Sequence, residues 1–244
     1  MDADVGVYFE VDDPESFDVG HLQRLIKQLL EASYPQKSPD DFDDSGDRIV
    51  EVVFKESGLE VDLAPIVSLD DDANYGYQYS RRGDKVKTSV GVHLDHYRNH
   101  APRDAFLAPT LRMTKRWRYW QELEGIQSFH LELMLSYLVD RDGAATSLED
   151  SFRRFFLFVI RDLSNGVAFG SDDPSGFSDP VVIVDPANDA NNVAARIEVG
   201  ERDAMTDAAR TAYETLNWAQ DLPGKGETVD KWKLLLGNNL SIEG

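Results

Sequence analysis

Three aspartates have the neighbours expected of a divalent-metal site. Asp2 and Asp4 lie two residues apart in DADVGVYFEV, where polar and apolar residues alternate as in a strand. Side chains two apart in a strand point to the same side, so these carboxylates repel each other unless a cation compensates. Asp62 stands between two apolar neighbours in a second strand-like stretch, where a carboxylate needs a partner. Such oxygen ligands suit Mg²⁺, and a pair of these ions can activate a hydroxyl and stabilise leaving pyrophosphate.

A structural interpretation of the same aspartates stays open at this point. Asp2 and Asp4 could be a frayed acidic terminus, and Asp62 could cap a turn before Pro65. Aspartate is so frequent in this chain that D-x-D pairs also arise by chance. The segment H-L-D-H at 93–96 offers no evident third or fourth metal ligand, so we predict a structural role for its histidines.

The elements that must position these residues follow from hydrophobic periodicity. The pattern predicts strands at 2–11, 48–55 and 58–67. It predicts helices at 18–33, 104–124, 126–140, 147–163 and 200–220. We expect a polar loop at 35–47 and an irregular segment at 68–90. The order predicts an α+β fold, in which a mixed sheet with flanking helices leads into a helical lobe.

Several individual residues are assigned within these elements. Asp18 is the expected N-cap of the first helix, and Ser147 with Asp150 forms a capping-box pattern at the fourth. Trp117 and Trp120 are three residues apart on one helix, so we expect both to anchor the core of the helical lobe.

Composition restricts the classes of partner. The formal net charge of −20 disfavours long DNA or RNA, because sequence-independent binding needs a basic surface. There is no cysteine, and therefore no disulfide or thiolate metal site. Neither a signal peptide nor an apolar run of about 18 residues occurs, so we expect a cytoplasmic protein without a membrane segment.

Four motifs together resemble one family. The D-x-D strand at 2–9 and V-D-L-A-P-I at 61–66 are similar to the metal-binding strands of polymerase-β-like nucleotidyltransferases, in the branch of oligoadenylate synthase and cyclic GMP–AMP synthase. L-R-M-T-K-R-W at 111–117 with S-F-H-L-E at 128–132 resembles the helix pair that grips the triphosphate there. V-D-P-A-N-D-A-N-N-V-A at 184–194 resembles a further motif of that branch. The bacterial members with this ordered set are cyclic-oligonucleotide synthases of antiviral defence systems, the CD-NTases.

The resemblance implies roles for specific residues. Asp2, Asp4 and Asp62 match the catalytic carboxylates that hold two Mg²⁺ ions, with Mn²⁺ as a substitute. Lys115 and Ser128 match the groups that bind the triphosphate, and Phe129 matches an aromatic that stacks on the base. The alternative for Lys115 is an ordinary exposed lysine, for Ser128 a helix N-cap, and for Phe129 packing in the core. In the same motif set, Asn191 and Asn192 are expected to brace the Asp185–Pro186 turn.

The function implied is a Mg²⁺-dependent nucleotidyltransferase that makes a cyclic or short oligonucleotide second messenger from nucleoside triphosphates, with a regulatory protein as a further partner. Residues 1–97 would form the nucleotidyltransferase core and residues 98–244 the helical lobe that completes the nucleotide site.

One departure from the family keeps alternatives open. The family carries a Gly-Ser segment and a long spine helix upstream of the aspartate pair, whereas only Met1 precedes Asp2 here. We therefore expect either that the natural product begins earlier or that this is a truncated or degenerate copy that binds nucleotide or a partner without catalysis. A transferase that acts on RNA or protein is a third alternative, and the acidic charge argues against RNA.

Overall fold

The computed structural model describes residues 2–11, 18–69, 72–221 and 225–237, and it describes the side chains within those ranges except at Asp2, Ala3, Asp72, Ala73, Gln220, Asp221 and Lys225. The chain divides into two compact units, Met1–His93 and Leu94–Gly244. The first contains a sheet with one long helix, and the second is mainly helical. The predicted α+β class is confirmed.

The strands of the first unit form one mixed sheet. They are β1 (Asp2–Phe9), β2 (Phe42–Asp43), β3 (Val50–Phe54), β4 (Leu59–Leu69), β5 (Asp72–Tyr79) and β6 (Lys85–Thr88). Strands β2 to β6 are joined in sequence order by antiparallel pairing, whereas β1 pairs with β4 in parallel. The parallel pair brings the chain's first strand against its fourth, so β4 has a partner on both edges.

Helix α1 (Val19–Ser33) follows β1 and behaves as its sequence predicts. The carboxylate of Asp18 accepts a hydrogen bond from the Gly20 amide at 2.9 Å, so Asp18 is the N-cap. Leu22 and Ile26 are buried, and so is the side chain of Gln23. The Gln23 side-chain nitrogen donates to the Gly46 and Ile49 carbonyls, each at 3.0 Å, and its oxygen accepts from Arg81 Nε at 2.8 Å, which ties the helix to the segment before β3.

The segment predicted to be irregular at 68–90 instead contains the whole of β5 and β6; Asp70 and Asp71 lie outside the described residues. Tyrosine is a strong strand former, and the lysines of β6 lie over the tyrosine rings of β5, with Lys85 Nζ 4.8 Å from the Tyr77 ring centre. The prediction failed because the neighbouring aspartates were taken as a sign of irregular structure. The loop predicted at 35–47 is also partly structured, since it contains β2 and the buried Phe42.

The helices of the second unit surround one apolar core. Its elements, including the helix that leads into it, are α2 (Val90–His100), α3 (Leu107–Trp120), α4 (Ser128–Asp142), α5 (Leu148–Arg161), the hairpin β7 (Val184–Asp185) and β8 (Asn188–Asn192), α6 (Val199–Asp221) and α7 (Lys225–Leu236). Trp117 is fully buried and meets the ring edges of Phe155 and Phe156, with ring centres 5.9 and 5.0 Å away. The described helices include none long and apolar enough to cross a membrane.

Two expectations for this unit are wrong and one is half right. Trp120 is 41% exposed rather than buried, although the Arg116 guanidinium lies 5.9 Å from its ring centre and Gly237, just after α7, lies beside the ring. No helix is predicted after the one at 200–220, whereas α7 follows α6. Ser147 does cap α5 by accepting from the Asp150 amide at 3.0 Å, but the Asp150 carboxylate bonds Thr146 rather than completing the box.

Candidate active site

Asp4 and Asp62 are paired residues on neighbouring parallel strands. The β1–β4 register sets Asp4 opposite Asp62 and Asp2 opposite Glu60. Adjacent strands are about 4.8 Å apart and paired residues project to the same face, so both carboxylates leave the sheet side by side. Asp4 is exposed and Asp62 is half-buried. The register therefore gives two of the three predicted metal ligands a common face.

Asp2 belongs to the same strand face by its backbone position. It lies two residues before Asp4 in β1, and its side chain is outside the described part of the structure. Among the side chains that are described, no group of three histidine, aspartate or glutamate residues could hold a metal ion together. The predicted set of three ligands thus stays a prediction, with its strand positions established.

Two glutamates that the sequence analysis did not single out share this face. Glu60 is the partner of Asp2, and Glu51 of β3 is the partner of Asp62 on the other edge of β4. Both are exposed. The alternation in RIVEVVF, with Val50 and Val52 buried, was the signal that placed Glu51 on the opposite face from the core. Like charges directly across strands are unfavourable, so this row of acids favours a bound cation.

The face beyond Asp4 is closed by the beginning of α2. A side-chain carbon on Gly6 would lie 2.7 Å from Val90 Cγ2 and 3.0 Å from Ile66 Cδ1, so only glycine permits this approach. The Val90 amide donates to the Tyr8 hydroxyl at 3.2 Å, which fixes the start of the helix beside β1. Gly6 and Tyr8 lie two and four residues after Asp4, on the same face as the carboxylates.

The three predicted nucleotide-binding residues lie on two helices of the second unit. Lys115 is half-buried on α3, in contrast to an ordinary exposed lysine, and its ammonium forms no ion pair or hydrogen bond with any residue in the described ranges. Ser128 is the first residue of α4 rather than its N-cap, which is Gln127. Phe129 follows in the same turn and is partly buried against the core. A hydroxyl in the first turn of a helix lies at the positive end of the helix dipole, which suits an anion.

The D-P-A-N-D-A-N-N motif forms the β7–β8 hairpin. Asn191 donates to the Asp185 carboxylate at 3.0 Å, as predicted for a brace of the Asp185–Pro186 turn. Asn192 braces a different part of the segment, since its side chain accepts from the Ile183 amide at 2.8 Å and donates to the Val181 carbonyl at 2.9 Å. Both asparagines therefore have structural roles.

His96 of the H-L-D-H segment packs against aromatic rings. The ring centre of His96 lies 4.3 Å from that of His100 and 4.3 Å from that of Phe169. His100 in turn bonds the Asp140 carboxylate through Nε2 at 2.9 Å. The structural role predicted for His96 is confirmed by these contacts.

Comparison with known proteins settles the family. No family model matches the chain. The CBASS oligonucleotide cyclase CdnC of Escherichia coli strain KTE188 is 31% identical to it over 246 residues, which cover 100% of this chain and 76% of the relative. This chain belongs to the CBASS oligonucleotide cyclase family. A second member, the cyclic AMP-AMP-AMP synthase of Escherichia coli strain MS 115-1, is 30% identical and covers 98% of this chain and 77% of its own length.

Solved structures of the cyclase family agree with this membership. CdnC of Escherichia coli MS115-1 in its complex with HORMA-deltaN matches with a TM-score of 0.80 at 29% identity, over 98% of this chain and 77% of that one. The Vibrio cholerae cyclic AMP-GMP synthase DncV has the same fold, with a TM-score of 0.72 at 17% identity, over 99% of this chain and 64% of that one. The nucleotidyltransferase family predicted from the ordered motifs is confirmed.

Proposed function

We propose that this cyclase-family chain joins nucleoside triphosphates into a cyclic or short oligonucleotide, with release of pyrophosphate, and uses Mg²⁺ held by Asp2, Asp4 and Asp62. The observation that carries the proposal is the pairing of Asp4 with Asp62 across two parallel strands in a member of the oligonucleotide cyclase family. The antiviral role and the second-messenger role follow from the same membership.

The residues present fit a divalent cation. Asp4 and Asp62 offer hard oxygen ligands on one sheet face, Asp2 belongs to that face by its strand position, and Glu51 and Glu60 add negative charge without any facing cation in the strand register. When bound, the metal lowers the charge of the phosphates and assists both the attacking hydroxyl and the leaving pyrophosphate. The contribution of the protein is to hold these carboxylates on rigid strands, so that little reorganisation is needed during reaction.

Lys115 and Ser128 are proposed to hold the donor triphosphate. The Lys115 ammonium is available because no described residue neutralises it, and the Ser128 hydroxyl likewise makes no hydrogen bond within the part of the chain that is described. The backbone N–H groups at the start of α4 form the positive end of the helix dipole, which favours the binding of phosphate oxygens there. Phe129 is proposed to contact the base with the exposed part of its ring.

The test is incubation of the chain with labelled nucleoside triphosphates, singly and in mixtures, in Mg²⁺ or Mn²⁺. We expect a phosphatase-resistant labelled product that requires the metal, and chelation should abolish it. Calorimetry with a nonhydrolysable ATP analogue should be run in parallel. Binding without any product from every mixture would contradict the catalytic proposal and would favour a chain that only binds nucleotide.

A protein partner is proposed on the basis of one relative. CdnC of Escherichia coli MS115-1 has been solved in complex with HORMA-deltaN. We propose that a regulatory protein of that kind binds this chain too and changes its rate of product formation. Adding purified candidate partners to the labelled assay should raise the rate, and an unchanged rate together with no co-elution would exclude the partner tested.

A further inference from the structure

His130 is a buried histidine that joins two of the motifs. It is the third residue of α4, only 3% exposed, and directly follows Ser128 and Phe129 in the chain. Its Nδ1 accepts a hydrogen bond from the amide of Gln127, the N-cap of the same helix, at 3.1 Å. Its Nε2 lies 3.1 Å from the carbonyl oxygen of Val193, just after the β7–β8 hairpin.

These two contacts determine the protonation state of the ring. A backbone amide can only donate, so Nδ1 must carry a lone pair, and a backbone carbonyl can only accept, so Nε2 must carry the proton. The neutral Nε2–H tautomer satisfies both contacts, whereas the doubly protonated ring would set Nδ1–H against the Gln127 amide. Burial lowers the pKa of His130, and the charge of Arg118 lowers it further.

Arg118 is the charged group that faces the ring from α3. Its guanidinium donates to the Ile126 carbonyl at 2.7 Å, one residue before the N-cap, and is therefore held near the start of α4. A positive charge on His130 would repel it, so the surroundings on the α3 side also favour the neutral ring.

The segment that holds the other end of His130 is rigid. Asn192, which precedes Val193, uses both its oxygen and its nitrogen: Oδ1 accepts from the Ile183 and Ala194 amides at 2.8 and 3.0 Å. Its Nδ2 donates to the Asp179 carboxylate and to the Val181 carbonyl, each at 2.9 Å. The Val193 amide itself donates to the Ile183 carbonyl at 3.0 Å. The His130 side chain is therefore hydrogen-bonded to a backbone carbonyl whose position is fixed by several other hydrogen bonds.

We propose that His130 is a positioning residue for the nucleotide, one that fixes the first turn of α4 against the β7–β8 segment and thereby sets the positions of Ser128 and Phe129. The proposal rests on the assignment of those two residues to nucleotide binding under the proposed function. Protonation of the ring breaks the Gln127 contact, so nucleotide affinity declines in acid. The D-P-A-N-D-A-N-N motif then has a defined purpose, because it supplies the anchor for the S-F-H-L-E helix.

The ring state can be measured without nucleotide. Nitrogen chemical shifts of the histidine side chains, followed by NMR from pH 8 downwards, should show His130 as the neutral Nε2–H tautomer at pH 7.5, with its transition below the ordinary histidine value of about 6.5. A neutral Nδ1–H tautomer, or a charged ring at pH 7.5, would overturn the proposal whatever the nucleotide experiments show.

The functional test compares three variants by the affinity for a nonhydrolysable ATP analogue and by the split between KM and kcat. His130→Asn keeps an acceptor at the position of Nδ1 but cannot reach Val193, His130→Leu removes both contacts, and His21→Asn is the matched control at an exposed site in the other unit. Loss of one net hydrogen bond predicts that KM and the dissociation constant rise roughly 3- to 10-fold in His130→Asn. The increase should be larger in His130→Leu, with kcat little changed and no effect in the control.

The pH profile separates positioning from a general loss of stability. Across the pH range in which NMR shows the ring of His130 to titrate, the affinity of the unaltered chain should fall more steeply than that of His130→Asn, since titration of the nucleotide itself is common to both. Parallel profiles would contradict the proposal. If Ser128→Ala and Lys115→Ala weaken nucleotide binding but neither His130 variant does, the positioning role of His130 is disproved and the proposed nucleotide site is not. If none of the four changes affects binding, the nucleotide site of the proposed function fails, and the NMR result still decides the state of His130.

Discussion

Asp4 and Asp62 are 58 positions apart in the sequence numbering and occupy directly paired positions on parallel strands β1 and β4. A shift of the register by one residue would turn one of them to the opposite face of the sheet. The pairing is fixed from the core side, where Val50 and Val52 are buried, and from the other face by the contact of Gly6 with Val90 and Ile66. Packing around the strands thus determines how two acids meet.

Substitution of Asp62 should remove activity while leaving the fold intact. We expect Asp62→Asn to lower the rate of product formation by at least about 100-fold, because loss of a direct metal ligand exceeds the 10- to 100-fold typical of an outer-shell partner. The labelled assay measures this. Glu56→Gln changes an exposed carboxylate in the turn between β3 and β4 and serves as the control. Equal activity of the two variants would remove Asp62 from the site.

Substitution of Lys115 should act on nucleotide affinity. A charge-assisted hydrogen bond to phosphate contributes about 1.5–3 kcal/mol, so Lys115→Ala should raise the KM for the donor triphosphate by roughly 10- to 100-fold. Steady-state kinetics over a range of triphosphate concentrations gives this value. Arg161→Ala, at an exposed cation of α5, should leave KM unchanged. A similar shift in both variants would indicate a general effect of net charge instead of a specific contact.

Gly6 offers a test of the packing that supports the acidic face. Gly6→Ala forces a methyl group against Val90 and Ile66, and such overpacking costs about 1–3 kcal/mol of unfolding free energy. At Gly91, on the adjoining helix, a new methyl group meets only Ser89 Oγ at 3.8 Å. Gly91→Ala should therefore be neutral or stabilising by about 0.5–1 kcal/mol, as for glycine inside helices. Urea unfolding of the two variants should give opposite signs, and destabilisation by both would disprove the specific contact.

The stability of α5 should depend on pH through Asp150. Its carboxylate accepts from the Thr146 amide at 2.9 Å and pairs with Arg154 at 2.8 Å, and these contacts lower the pKa of Asp150. A lowered pKa gives stability that is fully present above the unfolded-state value, about 3.9, and is lost as pH falls through the folded-state value. We expect Asp150→Asn to cost about 1 kcal/mol between pH 5 and pH 7.

The difference in unfolding free energy between the unaltered chain and Asp150→Asn should narrow only below about pH 4. Urea unfolding at several pH values measures it, with Asp189→Asn at an exposed position of β8 as the control. If the two free energies of unfolding already become equal between pH 7 and pH 5, a group other than Asp150 causes the pH dependence.

Local features of this chain were readable from the sequence because each depends on residues within one turn or one strand. Helix α1 and its cap Asp18, the cap Ser147 of α5, and the brace from Asn191 to Asp185 all match their predictions. The ordered motifs also predicted the nucleotidyltransferase family, which the 31% identical cyclase relative confirms. The roles of Asp2, Asp4, Asp62, Lys115, Ser128 and Phe129, and the functional division at residues 97 and 98, stay predictions.

Contacts between distant segments were decided by tertiary structure. Trp117 and Trp120 have equivalent spacing on α3, yet one is fully buried among phenylalanines and the other is 41% exposed, because helical periodicity does not say how far the neighbouring helices extend. The tyrosine-rich β5 needed an edge of β4 to pair with, and its composition alone did not reveal that edge.

The sequence by itself determined which residue types are available and which face of each strand or helix they occupy, since these follow from a repeat of two or 3.6 residues. Only the tertiary structure decided that β1 pairs in parallel with β4 at the register of Asp4 and Asp62, and that Nε2 of His130 lies against the Val193 carbonyl. The physical reason is that these relationships join segments tens of residues apart, whose positions are set by the burial of apolar side chains from the whole unit.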